Sequence, residues 1–334
     1  MHLFELTRKL IDIESITPNE RAVSDYLFAA LSELGARFGG RAERMPVEPE
    51  RDNIFVQFDD PVVTLSTHMD TVPPFIPATE DDNNIYGRGA CDTKGIIAAM
   101  IKAAEELLNE GQRNLGLLFV VGEERNSAGA LAAAKAPRGS RFLINGEPTE
   151  NKLALGSKGA LRYEILARGR MAHSAYPELG ESAIEKLLEA LNRIRQIRLP
   201  VDPVLGPSTL NIGRIEGGRA PNVIPDKASA EIFIRVVGDV TALREQIERA
   251  ARPEATAEEV LFIPAVHLGA LDGFETAIVA FTTDIPAFDG AWGQPYLIGP
   301  GSIRVAHTAD ERISKNELSE AVILYKNLVQ RLAR

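Results

Sequence analysis

The run "NLGLLFVVGEE", residues 114–124, constrains the fold more than any other stretch of the chain. Its first part is almost entirely apolar, which is typical of a strand buried on both faces in a parallel sheet. The runs "NIFVQF", "VVTLSTH" and "RFLINGE" also read as strands. Helical spacing occurs before them at Leu3–Ile13 and Asn19–Leu34 and between them at Gly95–Asn109. Strands that alternate with helices predict an α/β fold: a mixed, mostly parallel sheet with helices on both faces.

The pattern changes after Lys158. "ALRYEILARG" alternates as a half-exposed antiparallel strand does, and a helix at Glu181–Ile197 follows it. Two strands, a helix at Thr241–Ala251 and a further strand complete a small two-layer α+β unit. The helix Lys315–Leu332 returns to the first pattern. We therefore predict a larger domain, formed by 1–157 and 269–334, that carries an inserted domain at 158–268.

Composition narrows the function classes. The chain has 334 residues, 45% of them hydrophobic and 25% charged, as expected of a soluble protein of two domains. A net charge of -10 argues against nucleic acid and acidic membrane surfaces as partners. Cys91 is the only cysteine, which fits a reducing, cytoplasmic compartment. The N-terminus reads as an amphipathic helix rather than a signal peptide, and no run is apolar enough to span a membrane.

Polar side chains follow the predicted strands where each strand ends. In open α/β sheets, ligands bind outside the carboxyl ends of the strands. Asp92 lies in "GRGACDTKG" just before a helix, and His307 lies beyond "QPYLI" and its glycine turn. The residues directly after strands are His68, Asp70, Glu123, Glu124 and Glu147.

Several carboxylates at one sheet edge are costly to desolvate without cations. Two divalent ions would balance Asp92, Glu124 and Glu147, with His68 and His307 as neutral ligands. Nitrogen and oxygen ligands without thiolate suit zinc, and also cobalt or manganese. One carboxylate can bridge two ions about 3.5–4 Å apart.

Two further roles follow from the same pattern. The period of a strand puts Asp70 on the same face as His68, where it could accept the other imidazole N–H and fix the tautomer. One acid of the Glu123–Glu124 pair would be left as a general base for water.

Each signal has a plainer interpretation when it is taken alone. A His-x-Asp pair at a strand end is often a cap, and a Glu-Glu pair in a loop is usually solvated. "GRGACDTKG" lacks the Gly-Lys-Ser/Thr ending of a phosphate-binding loop. The coincidence at successive strand ends is what favours a metal site.

The motifs "HMDTVPP", "GRGACDTKG", "GEE", "GEPT" and "GPGSIRVAHTADE", in this order, resemble those of the two-zinc amidohydrolase family. That family contains acetylornithine deacetylase, succinyl-diaminopimelate desuccinylase, aminoacylases and glutamate-releasing carboxypeptidases. The similarity runs from "SITPNE" to the terminal helix. The larger domain would then be the catalytic two-metal domain, and the inserted domain a lid and dimerisation domain.

The resemblance implies a role for each residue at the strand ends. Asp92 would bridge two metals and be followed by a cis peptide, and Glu123 would be the general acid/base. Asp70 would orient His68. The metal ligands that the resemblance implies are His68, Asp92, Glu124, Glu147 and His307. Glutamate at 147 is similar to the deacetylase, desuccinylase and carboxypeptidase branches.

The resemblance also extends to substrate binding. His173, in "GRMAHSAYPELGESAIEKL", would reach the active site of the partner subunit of a homodimer. Asn222 and Arg235 would contact substrate, and Gly299 and Gly301 would offer backbone N–H groups to a substrate carboxylate.

Two positions depart from the family pattern. Phe233 stands where the family usually has aspartate, which weakens the role of Arg235. Gly122 stands before Glu123, where relatives often have aspartate, and this change is expected to tune the loop but to leave the base and the ligand intact.

The function that the resemblance implies is hydrolysis of a small N-acyl amino acid, with N-acetylornithine favoured. Desuccinylation of succinyl-diaminopimelate and glutamate-releasing carboxypeptidase activity are the alternatives within the family. A catalytically silent metal- or peptide-binding relative is the alternative of another class. The ligands and the base are all present, which argues against a silent relative.

Overall fold

The computed structural model describes residues 2–334, and the chain divides into two compact units. The first unit comprises the chain up to Leu155 together with Leu268–Ala277 and Thr283–Arg334. The second unit comprises Gly156–His267 and Ile278–Thr282. The sequence analysis expected 158–268 for the inserted segment.

Most helices lie where the apolar spacing predicts them. Arg21–Phe38 begins two residues later than predicted and runs four residues further, because its end is set by Gly39, whose φ of 74° gives a left-handed cap. Within residues 2–334, no helix combines the length and the apolar character needed to cross a bilayer. The α-helices are Leu3–Ile11, Arg21–Phe38, Gly95–Asn109, Ala128–Ala134, Ala183–Arg195, Thr241–Ala251, Ile285–Phe288 and Lys315–Leu332.

A six-stranded mixed sheet forms the centre of the first unit. In spatial order its strands are Arg41–Glu48, Arg51–Phe58, Leu115–Val120, Val63–His68, Phe142–Asn145 and Gln294–Leu297. The last four are mutually parallel, and the first two pair antiparallel. The prediction of a mixed, mostly parallel sheet is confirmed. The sequence analysis missed the edge strand Arg41–Glu48, whose exposed and charged positions lack a buried apolar run.

Helices cover both faces of this sheet, as predicted. Leu117 and Phe119 face a core built with the helices Leu3–Ile11, Arg21–Phe38 and Gly95–Asn109. The intervening Leu118 and Val120 belong to a separate core, with Phe288 and Trp292. Alternate side chains of one strand are therefore buried on opposite faces, which explains why its sequence is continuously apolar.

The second unit has two layers. Its four-stranded antiparallel sheet has the order Thr209–Gly217, Lys227–Val236, Gly159–Arg168 and Ala255–Ile263. Ala183–Arg195 and Thr241–Ala251 share one core with this sheet. Burial alternates along Lys227–Val236, as the period of a strand requires when only one face is covered.

The remaining strands are short, and they form ladders of two or three strands. In chain order they are Thr79–Glu80, Asn84–Tyr86, Leu153–Ser157, Ala172–His173, Val201–Asp202, Gly206–Pro207, Val223–Ile224, Val266–His267, Thr276–Val279 and Arg312–Ser314.

Candidate metal centre

The polar residues that end or follow the parallel strands lie at one edge of the sheet. His68 is the last residue of Val63–His68, and the Glu123–Glu124 pair follows Leu115–Val120 within a few residues. Glu147 comes two residues after Phe142–Asn145. Because these three strands are neighbours and run the same way, their carboxyl ends meet at a common edge.

Asp92 reaches this edge from an irregular turn. Its φ and ψ are -127° and 79°, which lie outside the helical region, and its peptide bond to Thr93 is cis, as the resemblance implied. Thr93 Oγ1 donates a hydrogen bond to the carbonyl oxygen of His68 at 2.6 Å. The turn is thereby fixed to the end of the strand that carries His68.

Both carboxylate oxygens of Asp92 face an imidazole. His68 Nε2 lies 3.0 Å from Asp92 Oδ1, and His307 Nε2 lies 3.1 Å from Asp92 Oδ2. His307 Nε2 is also 3.1 Å from Glu124 Oε1. One ligand atom each from His68, Asp92 and Glu124 lie within 4.8 Å of one another. A carboxylate placed between two imidazoles is the arrangement that a bridging ligand needs.

His307 also has an unusual backbone. Its φ is 63°, in the left-handed region that residues other than glycine seldom adopt. Such conformations cost free energy and cluster at functional sites. The side chain is about half exposed, at 49%, whereas that of His68 is buried at 1%.

The contacts shift the pKa values of the cluster. Burial lowers the pKa of His68, but its hydrogen bonds to Asp70 and Asp92 outweigh burial and raise that pKa well above its ordinary value. Hydrogen bonds to Asp92 and Glu124 raise the pKa of His307 to about 10. Burial raises the pKa of Asp92, and the two histidines outweigh it and lower that pKa. The carboxylates of this cluster therefore favour the protonated form of each histidine.

Asp70 contacts more than His68. His68 Nδ1 lies 3.0 Å from the backbone carbonyl oxygen of Asp70 and 3.5 Å from its carboxylate. The carboxylate accepts hydrogen bonds from Thr17 Oγ1 at 2.7 Å and from the backbone N–H groups of Glu123 at 3.2 Å and Glu124 at 3.1 Å. Asp70 does not point away from His68, and it also holds the loop that carries the Glu-Glu pair.

In three further acids, burial outweighs the compensating charge of nearby His68. Burial raises the pKa of Glu123 and of Glu147 well above their ordinary values, and burial raises that of Asp284 to about 7. Nearby negative charge adds to this effect. Glu124 raises the pKa of all three acids, and Glu147 also raises that of Glu123. Among the described residues, Glu147 Oε1 is a buried oxygen without a hydrogen-bond partner. Buried carboxylates in this state fit a site for cations.

The donor set suits zinc rather than a soft metal. The ligand atoms are imidazole nitrogens and carboxylate oxygens, as in many zinc sites. Cys91, beside Asp92, turns its sulfur toward Ser302 O and Glu311 Oε1, both at 3.8 Å. Burial raises the pKa of the Cys91 thiol well above its ordinary value, so the thiolate that metals bind is disfavoured.

The glycines after Gln294–Leu297 do not offer free N–H groups. Gly299 N–H donates to Thr149 Oγ1 at 3.0 Å, and Gly301 N–H donates to Glu317 Oε2 at 3.1 Å. Both residues are buried. A substrate carboxylate could use these groups only after displacing the protein's own acceptors, so the substrate-binding role of Gly299 and Gly301 stays a prediction.

His173, Asn222 and Arg235 belong to the second unit. His173 pairs with Val223 in a short ladder, and Ser174 N–H donates to the Asn222 carbonyl at 3.0 Å, which brings the first two together. Arg235 lies on the strand Lys227–Val236, and its guanidinium stacks on the ring of Phe233 at 4.8 Å. The aromatic ring thus supports the arginine from the position where the family usually has aspartate.

Comparison with known proteins identifies the family. The model of peptidase family M20/M25/M40 matches residues 64–331. The chain belongs to this peptidase family. A peptidase M20 domain-containing protein of Schizosaccharomyces pombe is 40% identical, over 98% of this chain and 84% of its own length. A probable carboxypeptidase of Aspergillus flavus is 36% identical, over 97% of this chain and 86% of its own.

Solved structures of peptidases share the fold. A tripeptidase from Staphylococcus aureus matches with a TM-score of 0.80 at 22% identity, over 99% of this chain and 98% of that one. A dinuclear metal-binding M20 peptidase from Bacillus subtilis matches with a TM-score of 0.70 at 16% identity, over 98% and 96%. Membership makes the chain a metal-binding hydrolase of peptide-like amide bonds.

The sequence analysis missed part of this centre. Asp284 is buried beside the acids, but it lies in a loop five residues after the short strand Thr276–Val279 and belongs to none of the five motifs. Thr17 lies in "SITPNE", where the resemblance begins, but that stretch does not show that Thr17 contacts Asp70. Glu311 and Arg88 lie inside recognised motifs, yet nothing in the sequence shows that they contact each other across 223 positions.

Proposed function

We propose that the chain hydrolyses the amide bond of an N-acyl amino acid at a two-metal site, with Glu123 as general base. The observation that carries the proposal is the position of Asp92, whose two oxygens face His68 and His307 while Glu124 contacts the same His307. A single carboxylate between two histidines is what two adjacent cations require.

The metal ligands in this proposal are His68, Asp92, Glu124, Glu147 and His307. When bound, two divalent cations would lower the pKa of water and polarise the amide carbonyl. Zinc is the metal that we propose, with cobalt or manganese as substitutes, because the donors are imidazoles and carboxylates.

Glu123 takes the proton from the attacking water and then passes it to the leaving amine. Burial raises the pKa of Glu123, which makes its carboxylate a stronger base for the proton of water. Asp70 fixes the backbone of this residue, because its carboxylate accepts the Glu123 N–H. Asp70 therefore orients both His68 and the base.

The Glu123→Gln variant tests this assignment. It should bind as much zinc as the wild type but lose at least about 1,000-fold in kcat, because the proton acceptor is gone. Asp310→Asn is the matched control, since it removes an exposed carboxylate three residues from His307. Retained turnover in the Glu123 variant, with metal content unchanged, would show that another group accepts the proton.

N-acetylornithine is the substrate that we propose. The motifs "GEPT" and "GPGSIRVAHTADE" support it, because they are similar to those of acetylornithine deacetylase and of relatives that cleave acetylcitrulline and succinylornithine. Succinyl-diaminopimelate is the next substrate by the same criterion. Release of free amine from each compound by the zinc-loaded protein distinguishes them.

A carboxypeptidase is the second candidate function. It is favoured by the 36% identity, over 97% of this chain, to a protein named as a probable carboxypeptidase. Peptides and acyl groups that end in glutamate should then be cleaved faster than acetylornithine. No turnover of either class, in protein with two bound zinc ions, would favour a silent metal- or peptide-binding relative.

We also propose a homodimer in which His173 of one subunit serves the other. His173 is exposed, and its Nδ1 accepts the Ala175 N–H, which leaves Nε2 as a donor for the oxyanion that forms during amide attack. Asn222, close to His173, and Arg235, stacked on Phe233, would contact the substrate in the same assembly.

Mixing two inactive variants tests this arrangement. Glu123→Gln and His173→Ala subunits, exchanged at equal concentration, should regain about a quarter of wild-type activity, because half of the dimers would contain one complete site. No recovery, although mixed dimers form, would contradict a role for His173 across the interface.

A further inference from the structure

A buried ion pair links the two loops that carry Asp92 and His307. Glu311 lies four residues after His307 and is 1% exposed. Its Oε1 accepts the N–H of Gly89 at 2.9 Å and the N–H of Asp92 at 3.3 Å. Its Oε2 pairs with Arg88, which is 2% exposed and also donates to the Pro74 carbonyl.

The backbone that Glu311 holds is an irregular turn, whose other tie to the metal site is the hydrogen bond from Thr93 Oγ1 to the His68 carbonyl. Asp92 and Thr93 are not helical, and Gly89 adopts a left-handed φ of 86°. A turn of this kind leaves N–H groups that no helical ladder satisfies, and a carboxylate oxygen is a strong acceptor for them. The location of the Asp92 carboxylate therefore depends on an acceptor supplied by the His307 loop.

Burying the Arg88–Glu311 pair is also costly in free energy. Two buried charges cost desolvation that their attraction only partly offsets, and apolar residues of similar size often serve stability equally well. Packing alone thus gives no reason for a carboxylate here, whereas the need to fix the N–H of a metal ligand does.

We propose that Glu311 is a positioning residue that sets metal affinity, by fixing the Asp92 backbone to the His307 loop through Gly89 and Arg88. The inference rests on the metal site of the proposed function. It does not depend on which amide is the substrate, because its readout is zinc binding.

The test measures zinc dissociation constants of the metal-free full-length protein by competition with a chromophoric chelator. Glu311→Gln keeps the shape but loses the charge that pairs with Arg88, and it should weaken zinc binding about 10- to 100-fold. Excess zinc should restore much of the lost turnover, because the ligands and Glu123 are intact.

Two further variants make the result decisive. Arg88→Met with Glu311→Leu removes both charges, so it leaves no unpaired ion, but it lacks the acceptor that the amide oxygen of glutamine would retain, and it should bind zinc at least as weakly as Glu311→Gln. Glu105→Gln is the control, since it removes a largely buried carboxylate that pairs with Arg37 at 2.8 Å and Lys102 at 3.0 Å on the helix Gly95–Asn109. Its zinc affinity should equal that of the wild type.

Wild-type zinc affinity in folded Glu311 variants would overturn the proposal. An equal loss in Glu105→Gln would also overturn it, because the effect would then be general destabilisation. Failure of the double variant to fold counts against it too, since the pair would then be needed for folding rather than for the metal ligand. A wild type that binds two zinc ions but cleaves no amide would refute the proposed function and leave this test intact.

Discussion

Replacing Thr17 by valine should damage the site without touching any proposed metal ligand. Thr17 Oγ1 donates to Asp70 Oδ2 at 2.7 Å, and Asp70 is fully buried. Valine has the same shape but no hydroxyl, so the carboxylate keeps the Glu123 and Glu124 N–H groups and nearby His68 as partners but loses its one side-chain hydroxyl donor. The backbone hydrogen bond from Thr17 N–H to Thr71 is unaffected.

The magnitude follows from the charge of the acceptor. A hydrogen bond to a charged group contributes about 1.5–3 kcal/mol, so we expect a loss of about 2 kcal/mol in the free energy of unfolding. For a unit of this size, that loss lowers Tm by about 4–8 °C. Because Asp70 positions the base, kcat should fall about 10- to 100-fold, while KM should change little.

Thermal melts and steady-state kinetics on the zinc-loaded protein measure both effects. Thr7→Val is the matched control, since the Thr7 hydroxyl is buried but donates only to the Leu3 carbonyl of its own helix, at 3.0 Å. Thr17→Ser should behave as the wild type because it keeps the hydroxyl. The reasoning is refuted if Thr17→Val is unchanged, or if serine is as harmful as valine.

The remaining predictions concern the metal, the pH and the backbone. Asp92→Asn should reduce bound zinc from two ions to one or none, measured by elemental analysis, and two retained ions would contradict a bridging role. His307 has a pKa raised to about 10 in the metal-free protein, so its stabilising contribution is complete below about pH 6.5 and is lost as the pH rises toward 10. The Tm of the metal-free protein should fall over that interval, and His307→Gln should remove this part of the fall; an identical slope in the variant would contradict it. Gly301→Ala should cost about 1–3 kcal/mol more than Gly111→Ala in urea unfolding. Both glycines have φ near 90°, but only at 301 would the new methyl lie 2.6 Å from Cys91 Cβ, and equal losses would show that this contact does not matter.

The central sheet was predictable because burial on two faces leaves a strong signal. The strand Leu115–Val120 has no polar side chain, and only a sheet covered on both sides explains that. The edge strand Arg41–Glu48 has one exposed side and several charges, so its sequence resembles a surface loop. The polar residues at the strand ends were predictable as well, because each comes directly after an apolar run that marks where its strand ends.

The contacts behind the ligands were not predictable in the same way. Glu311 and Arg88 are buried together although a pair of distant charges in a sequence usually means two solvated side chains. Asp284 is a single acid after two threonines, and only the fold shows that it is buried. For Gly299 and Gly301, the sequence indicated a tight turn, but the acceptors of their N–H groups depend on Thr149 and Glu317.

Crystals of the zinc-loaded protein, measured at the zinc absorption edge, test the central claim most directly. The account predicts two anomalous peaks at this edge of the sheet, one beside His68 and one beside His307, with the Asp92 carboxylate in contact with both. A single peak, or two peaks of which Asp92 contacts only one, would contradict the two-metal site on which the proposed amide hydrolysis depends.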